Sequence, residues 1–141
     1  MYESCLAKQD KLKNLFSSCH TLDDRYQKII DLGKSMPKLA AEYRVPENLV
    51  KGCQSLMYLH TSSEGDIILF EGESDALISQ GLAALLINVY SGESPETVLK
   101  CPPTYLDELQ IPASLSPNRA NGLYSLHLRM KQEALKLLMK Q

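Results

Sequence analysis

Residues 54–60 read Gln54-Ser55-Leu56-Met57-Tyr58-Leu59-His60, and residues 66–72 read Asp66-Ile67-Ile68-Leu69-Phe70-Glu71-Gly72, with Thr61-Ser62-Ser63-Glu64-Gly65 between them. Two short runs of apolar and β-compatible residues around a turn-forming stretch predict a β-hairpin. Leu56, Met57, Tyr58 and Leu59 are consecutive apolar residues, so the first strand is expected to have cover on both faces, one of them partial. Directly after the hairpin, Asp75 to Tyr90 places Ile78, Leu82, Leu85, Leu86 and Val89 on one side of a helix, with Leu77, Ala84 and Ile87 widening the apolar surface. Such a helix belongs in the centre of the fold rather than on its surface. Ahead of Gly52, Asn48-Leu49-Val50-Lys51 offers a third strand.

On the N-terminal side, Leu12, Leu15, Phe16 and Cys19 recur at helical spacing. Thr21 and Asp24 form a capping-box pattern, opening a second helix with the stripe Leu22, Tyr26, Ile29 and Ile30, which Gly33 and Pro37 end. On the C-terminal side, Ser94-Pro95 and Ser116-Pro117 each place a capping serine before a proline at the first helical position. The first starts a short helix to Leu99, and Tyr105 to Leu109 makes another turn or two. The last helix carries Leu123, Leu126, Met130, Ala134 and Leu137. Arg119 stands in register with that stripe, and a permanent charge there demands a partner. Helices, a small antiparallel sheet of about three strands, then helices again describe an α+β chain, and 141 residues suit one domain over positions 1–141.

With 44% apolar residues the chain can bury a core without disulfides or a structural metal, and a formal charge of −2 exerts no long-range pull on nucleic acid or an anionic membrane. No apolar run reaches the ~20 residues that span a bilayer. Residues 1–5 show no secretory pattern, and the four cysteines at 5, 19, 53 and 101 include no CxxC pair. A reduced, cytoplasmic protein is expected.

Chemistry concentrates at Cys53. Gly52 allows a sharp bend that presents the thiol, and Lys51, two residues away, is expected to favour the thiolate. Taken alone, the local sequence favours the plainer role of a small buried hydrophobe. No histidine or carboxylate adjoins Cys53, which argues against a cysteine hydrolase. Cys19 completes an apolar stripe, Cys5 falls near a frayed terminus, and Cys101 falls in a proline-rich loop. His20, His60 and His127 have no metal-ligand spacing with the cysteines. His127 reads as a hydrogen-bonded core residue and His60 as an exposed one. Asp75 has two roles open to it: satisfying the amides at the start of the buried helix, or bridging to Arg119.

Gly52-Cys53-Gln54-Ser55, then Glu73-Ser74-Asp75-Ala76 with Gly81-Leu82, then Leu115-Ser116-Pro117-Asn118-Arg119-Ala120-Asn121-Gly122-Leu123 resemble the three signature blocks of SufE-type sulfur acceptors. Arg25-Tyr26, Ile30-Asp31-Leu32-Gly33 and Met36-Pro37 are similar to that family too. Asn118 and Ala120 depart from it where serines are common. The resemblance implies a fold similar to the SufE and IscU-type proteins. It implies that Cys53 accepts sulfur from a persulfide on a SufS-like cysteine desulfurase, holds it as its own persulfide, and delivers it to a SufBCD-like iron–sulfur scaffold complex. Gly52 and Gln54 would shape the loop, with Asp75 and Arg119 in supporting positions. The pyridoxal phosphate belongs to the desulfurase, no resident cofactor or metal is implied, and a monomer or weak dimer is expected. The competing function is a scaffold that assembles a cluster itself, which needs three or four ligands converging.

Overall fold

The computed structural model describes residues 1–140. Six α-helices surround one hairpin: α1 Glu3–Phe16, α2 Leu22–Lys34, β1 Met57–Glu64, β2 Ile67–Ser74, α3 Leu77–Tyr90, α4 Pro95–Lys100, α5 Thr104–Glu108 and α6 Pro117–Met139. Short 3-10 turns cover Ala41–Tyr43, Pro46–Asn48 and Pro112–Ser114. The α+β architecture follows the expectation, with one correction. The sheet has two strands, and the segment proposed as a third contributes only an isolated bridge, Leu49 to Tyr58. Pro46 starts a 3-10 turn there, and Gly52, at φ +91°, turns the chain away before a ladder can form.

β1 and β2 pair antiparallel from Met57↔Ser74 to Glu64↔Ile67. The hairpin therefore closes on the two residues Gly65-Asp66, with Gly65 at φ +55°, the positive angle a tight primed turn requires. Thr61 to Glu64, expected as turn, instead continue β1. Met57, Leu59, Ile68 and Phe70 point into the core. On the opposite face the partial cover comes from Tyr43, whose ring stacks on His60 at 3.6 Å; His60 is not the bare surface residue its sequence suggested.

α3 is buried along most of its surface, from Ile78 to Tyr90, as its composition predicts. Its closest neighbour is α2, and glycines set the distance. A Cβ on Gly33 would stand 2.6 Å from the Gly81 nitrogen, and one on Gly81 would overlap the Ile29 carbonyl. Gly33 stands in the last turn of α2, which ends at Lys34 as expected, and is also a contact point with α3. The caps behave as predicted: Thr21 Oγ1 accepts from Asp24 N at 3.0 Å, Ser94 Oγ from Thr97 N at 3.1 Å and Ser116 Oγ from Arg119 N at 3.3 Å.

Two cysteines differ from expectation. Cys5 is fully buried on the α1 stripe Cys5, Gln9, Leu12 and Phe16, and Cys101 is buried against it. Gln9 Nε2 reaches both sulfurs at 3.7 Å. Burial, ahead of the contact with Cys101, pushes the Cys5 thiol up to about 12. The pair is packing, and burial holds Cys5 neutral.

His127 also departs from its predicted role. It stacks on Tyr90 at 5.5 Å, yet its buried Nε2 has no hydrogen-bond partner. Burial first, then the nearby Lys131 charge, lowers its pKa to about 4 from 6.5. Unfolded chains bind this proton more readily than folded ones between those values. Stability from this group is therefore complete above about pH 6.5 and is lost as pH falls toward 4. A His127→Leu variant is expected to lose about 2 kcal/mol less than the parent between pH 7 and pH 4.5, measured by urea denaturation at both values. Equal losses would show that His127 is not the acid-sensitive group.

Candidate functional site

Cys53 sits at the middle of the loop joining the 3-10 turn Pro46–Asn48 to β1. Its bend is made at Gly52, whose Cα packs so closely on α6 that an added Cβ would collide with Ser125 Oγ. Only glycine suits both that contact and the positive φ. The bend turns the Cys53 side chain inward, where Sγ donates to the Gly122 carbonyl of α6 at 3.6 Å. The thiol is half-buried, and Met57, Leu82 and Leu126 form the apolar wall beside it. Gln54, Ser79, Asn118 and Arg119 supply the polar lining. The enclosed free space is about 10 Å³, close to the minimum that admits one further water-sized atom.

Burial pushes the Cys53 thiol above its ordinary range. The expected help from Lys51 is not realised: Lys51 is exposed, and desolvation is the sole cause acting on the thiol. Inside the pocket the sulfur is a neutral donor, because its acceptor is a carbonyl oxygen that a thiolate would be repelled by.

Arg119 reaches the pocket from the first turn of α6. Its Nη1 donates to Ser79 Oγ at 2.8 Å and to Ser55 Oγ at 3.1 Å. Ser79 comes from α3 and Ser55 from the reactive loop, so the guanidinium joins three elements. The bridge to Asp75 does not exist. Asp75 Oδ1 instead accepts from the Leu56 amide at 3.1 Å, and the Leu56 carbonyl accepts from Asp75 N at 3.4 Å. Nor does Asp75 cap α3, whose start at Ala76 has no side-chain cap; Ser74 Oγ accepts from Ala76 N and Gln80 Oε1 from Ser74 N in the turn that leads into it. Asp75 is a latch on the outgoing end of the Cys53 loop.

Cys53, Gln54 and Arg119 therefore meet at one pocket; Gly52 shapes the loop beside it, and Asp75 lines a separate depression with Glu73 and Gln80. Ser55, Ser79, Gly122, Ser125 and Arg129 were not foreseen as contributors. Arg129 carried no signal in the sequence, yet its Nη1 and Nη2 donate to the Leu49 and Glu47 carbonyls at 2.9 and 2.7 Å. Among the described residues no group of three or more His, Cys, Asp or Glu side chains is placed to hold a metal ion. Among the described residues no helix is long and apolar enough to cross a membrane.

Residues 10–134 match the SufE family model, described as an Fe-S metabolism associated domain. A SufE-like protein of Rhizobium etli, itself uncharacterized, is 37% identical over 134 residues, covering 92% of this chain and 90% of that one. SufE-like protein 1 of Arabidopsis thaliana, chloroplastic and mitochondrial, is 31% identical over 94% of this chain, which corresponds to 36% of the plant protein. The solution structure of a hypothetical protein from Thermus thermophilus superposes with a TM-score of 0.77 at 26% identity, covering 94% of this chain and 96% of that one. The chain belongs to the SufE family of proteins associated with Fe–S metabolism.

Proposed function

We propose that Cys53 accepts sulfur from a persulfide on a cysteine desulfurase, carries it as a persulfide, and passes it to an iron–sulfur scaffold. The observation that supports this reading best is the company Cys53 keeps. A solitary thiol, with no base and no second thiol beside it, lies against a one-atom cavity and a guanidinium whose partners are two neutral hydroxyls.

The chemistry asks little of the chain. When the loop leaves the pocket, Cys53 loses its desolvation and its proton passes to solvent. The thiolate then attacks the outer sulfur of the donor persulfide, the donor S–S bond breaks, and the donor cysteine departs as a thiolate. Cleavage of the C–S bond of free cysteine is the work of the partner's cofactor. Delivery repeats the exchange, with the acceptor's thiolate attacking the outer sulfur on Cys53.

Arg119 matters for the interval between the two transfers. The outer sulfur of a persulfide extends about 2 Å beyond Sγ, which is what the cavity can hold. A terminal sulfur ionised in an apolar pocket needs a counter-charge, and Arg119 is the cation lining this one. Leu56 and Leu77, 50% and 59% exposed, flank the loop and offer apolar surface to a docking protein.

An Arg119→Met variant keeps the volume and removes the charge. The expected result is a persulfide that is lost to dithiothreitol about tenfold faster than in the parent, as followed by mass spectrometry. One order of magnitude corresponds to about 1.4 kcal/mol, a modest value for a half-buried charge pair. Identical lifetimes would remove Arg119 from the account and leave the cavity alone to shelter the sulfur.

A further inference from the structure

The loop that carries Cys53 is bonded unevenly. Val50 N donates to Met57 O at 2.8 Å, Leu49 bridges Tyr58, and Leu56 exchanges two hydrogen bonds with Asp75. Together these contacts close a neck. Between them, among the described residues, Lys51 and Gly52 form a turn, but no main-chain group of residues 51–55 makes a hydrogen bond of good geometry to another protein group. The tip is held only by side chains: Cys53 Sγ on the Gly122 carbonyl and Ser55 Oγ on Arg119 and Ser79.

The incoming side of the neck has no strand beyond it, since the Leu49 bridge is isolated. Its support comes from Arg129 instead. The guanidinium donates to the Glu47 and Leu49 carbonyls, and Glu133, one turn along α6, accepts from its Nε at 2.9 Å. Both side chains are largely buried, 20% and 18% exposed, so the pair is oriented rather than free. Hydrogen bonds from a charged group are also stronger than neutral ones.

We infer that Arg129 is a positioning residue that fixes the neck of the Cys53 loop, so that the mobile unit is residues 51–55 and the thiol swings about a stationary base. Cys53 lies three residues from Val50 and three from Leu56, which bounds its reach beyond the neck at about 10 Å. What the thiol reaches for rests on the acceptor function proposed above. The neck itself is open to test without any desulfurase.

The test is alkylation of the whole protein with iodoacetamide, read residue by residue by peptide mass spectrometry. Buried Cys5 and Cys101 serve as internal reporters, since they are exposed only when the core opens. Arg129→Gln is expected to speed Cys53 alkylation about tenfold, with Cys5 and Cys101 unchanged, and Arg129→Lys, which keeps the charge and one donor, is expected to fall between. In the unmutated protein, hydrogen exchange should show the Val50 amide protected and the amides of residues 52–54 exchanging rapidly. With a desulfurase present, Arg129→Gln should raise the KM for this chain several-fold and change kcat less than twofold. Equal alkylation in parent and variant, parallel labelling of all the cysteines, or Val50 exchanging as fast as residues 52–54 would each overturn the inference. If the alkylation pattern appears but no sulfur is ever loaded, the acceptor function fails while the neck stands.

Discussion

A Gly81→Ala variant is expected to be destabilised by about 3 kcal/mol, with Tm lower by roughly 10 °C. Helix propensity alone predicts the opposite sign, because alanine in a helix interior is favoured over glycine by about 1 kcal/mol. Packing decides the outcome. The new Cβ would overlap the Ile29 carbonyl, and a backbone group on a neighbouring helix cannot turn aside as a flexible side chain would. Relief requires α2 and α3 to move apart along the contact that also includes Gly33. Gly65→Ala is the control: nothing lies within 4 Å of its Cβ, so the cost is that of a positive φ alone, about 1 kcal/mol. Thermal and urea unfolding of the two variants should separate them clearly. A Gly81 variant no weaker than the Gly65 variant would mean that the α2–α3 spacing is not set by glycine.

Cys53→Ser is expected to abolish sulfur loading and to change stability by less than about 1 kcal/mol. The hydroxyl is slightly smaller than the thiol and can donate to the same Gly122 carbonyl, so the loop keeps its resting position. The effect on transfer should be total rather than partial, because no other cysteine is placed to substitute. Cys5 and Cys101 are buried on each other, with Cys5 held protonated by burial, and Cys19 packs at the start of α2 with its sulfur on the Asp24 carbonyl. A residual loading of more than a few per cent in this variant, measured as protein-bound sulfur after incubation with a desulfurase and cysteine, would point to one of them. Stimulation of the desulfurase should fall with it.

The elements were legible where chemistry is local. Thr21, Ser94 and Ser116 announce helix starts because a capping hydroxyl acts on amides two or three residues away. The buried helix announces itself through an almost unbroken apolar run. The length of β1 did not, since Ser62 to Glu64 form its exposed end and polar residues there resemble a turn. The third strand failed for a similar reason: Leu49 and Val50 are good strand residues, but Gly52 ends their pairing after one bridge.

At the site, Cys53 stood out through its surrounding blocks rather than through its neighbours. Its ionisation was misjudged because Lys51 is close in sequence while the thiol faces the other way, into the protein. For Asp75 the sequence left open both a cap on the buried helix and a bridge to Arg119, and neither is formed. Three-dimensional placement gives Arg119 the hydroxyls of Ser55 and Ser79, and gives Asp75 the Leu56 amide. Opposite charges attract at long range, but hydrogen-bond geometry chooses the partner. Arg129 was invisible because its acceptors are backbone carbonyls, which every residue possesses.

The pocket also explains why a thiol pushed up by burial suits this role. Under the proposed acceptor function, a protonated, sheltered Cys53 would be protected from adventitious oxidation between encounters and would ionise only if the loop swung out, tying reactivity to docking.

The most direct test of that account is the intact mass of the chain after incubation with a cysteine desulfurase and cysteine, followed by peptide mapping without reductant. The account predicts a gain of one sulfur atom per chain, located on the peptide containing Cys53. No gain in mass, or sulfur located on Cys5, Cys19 or Cys101 instead, would contradict it.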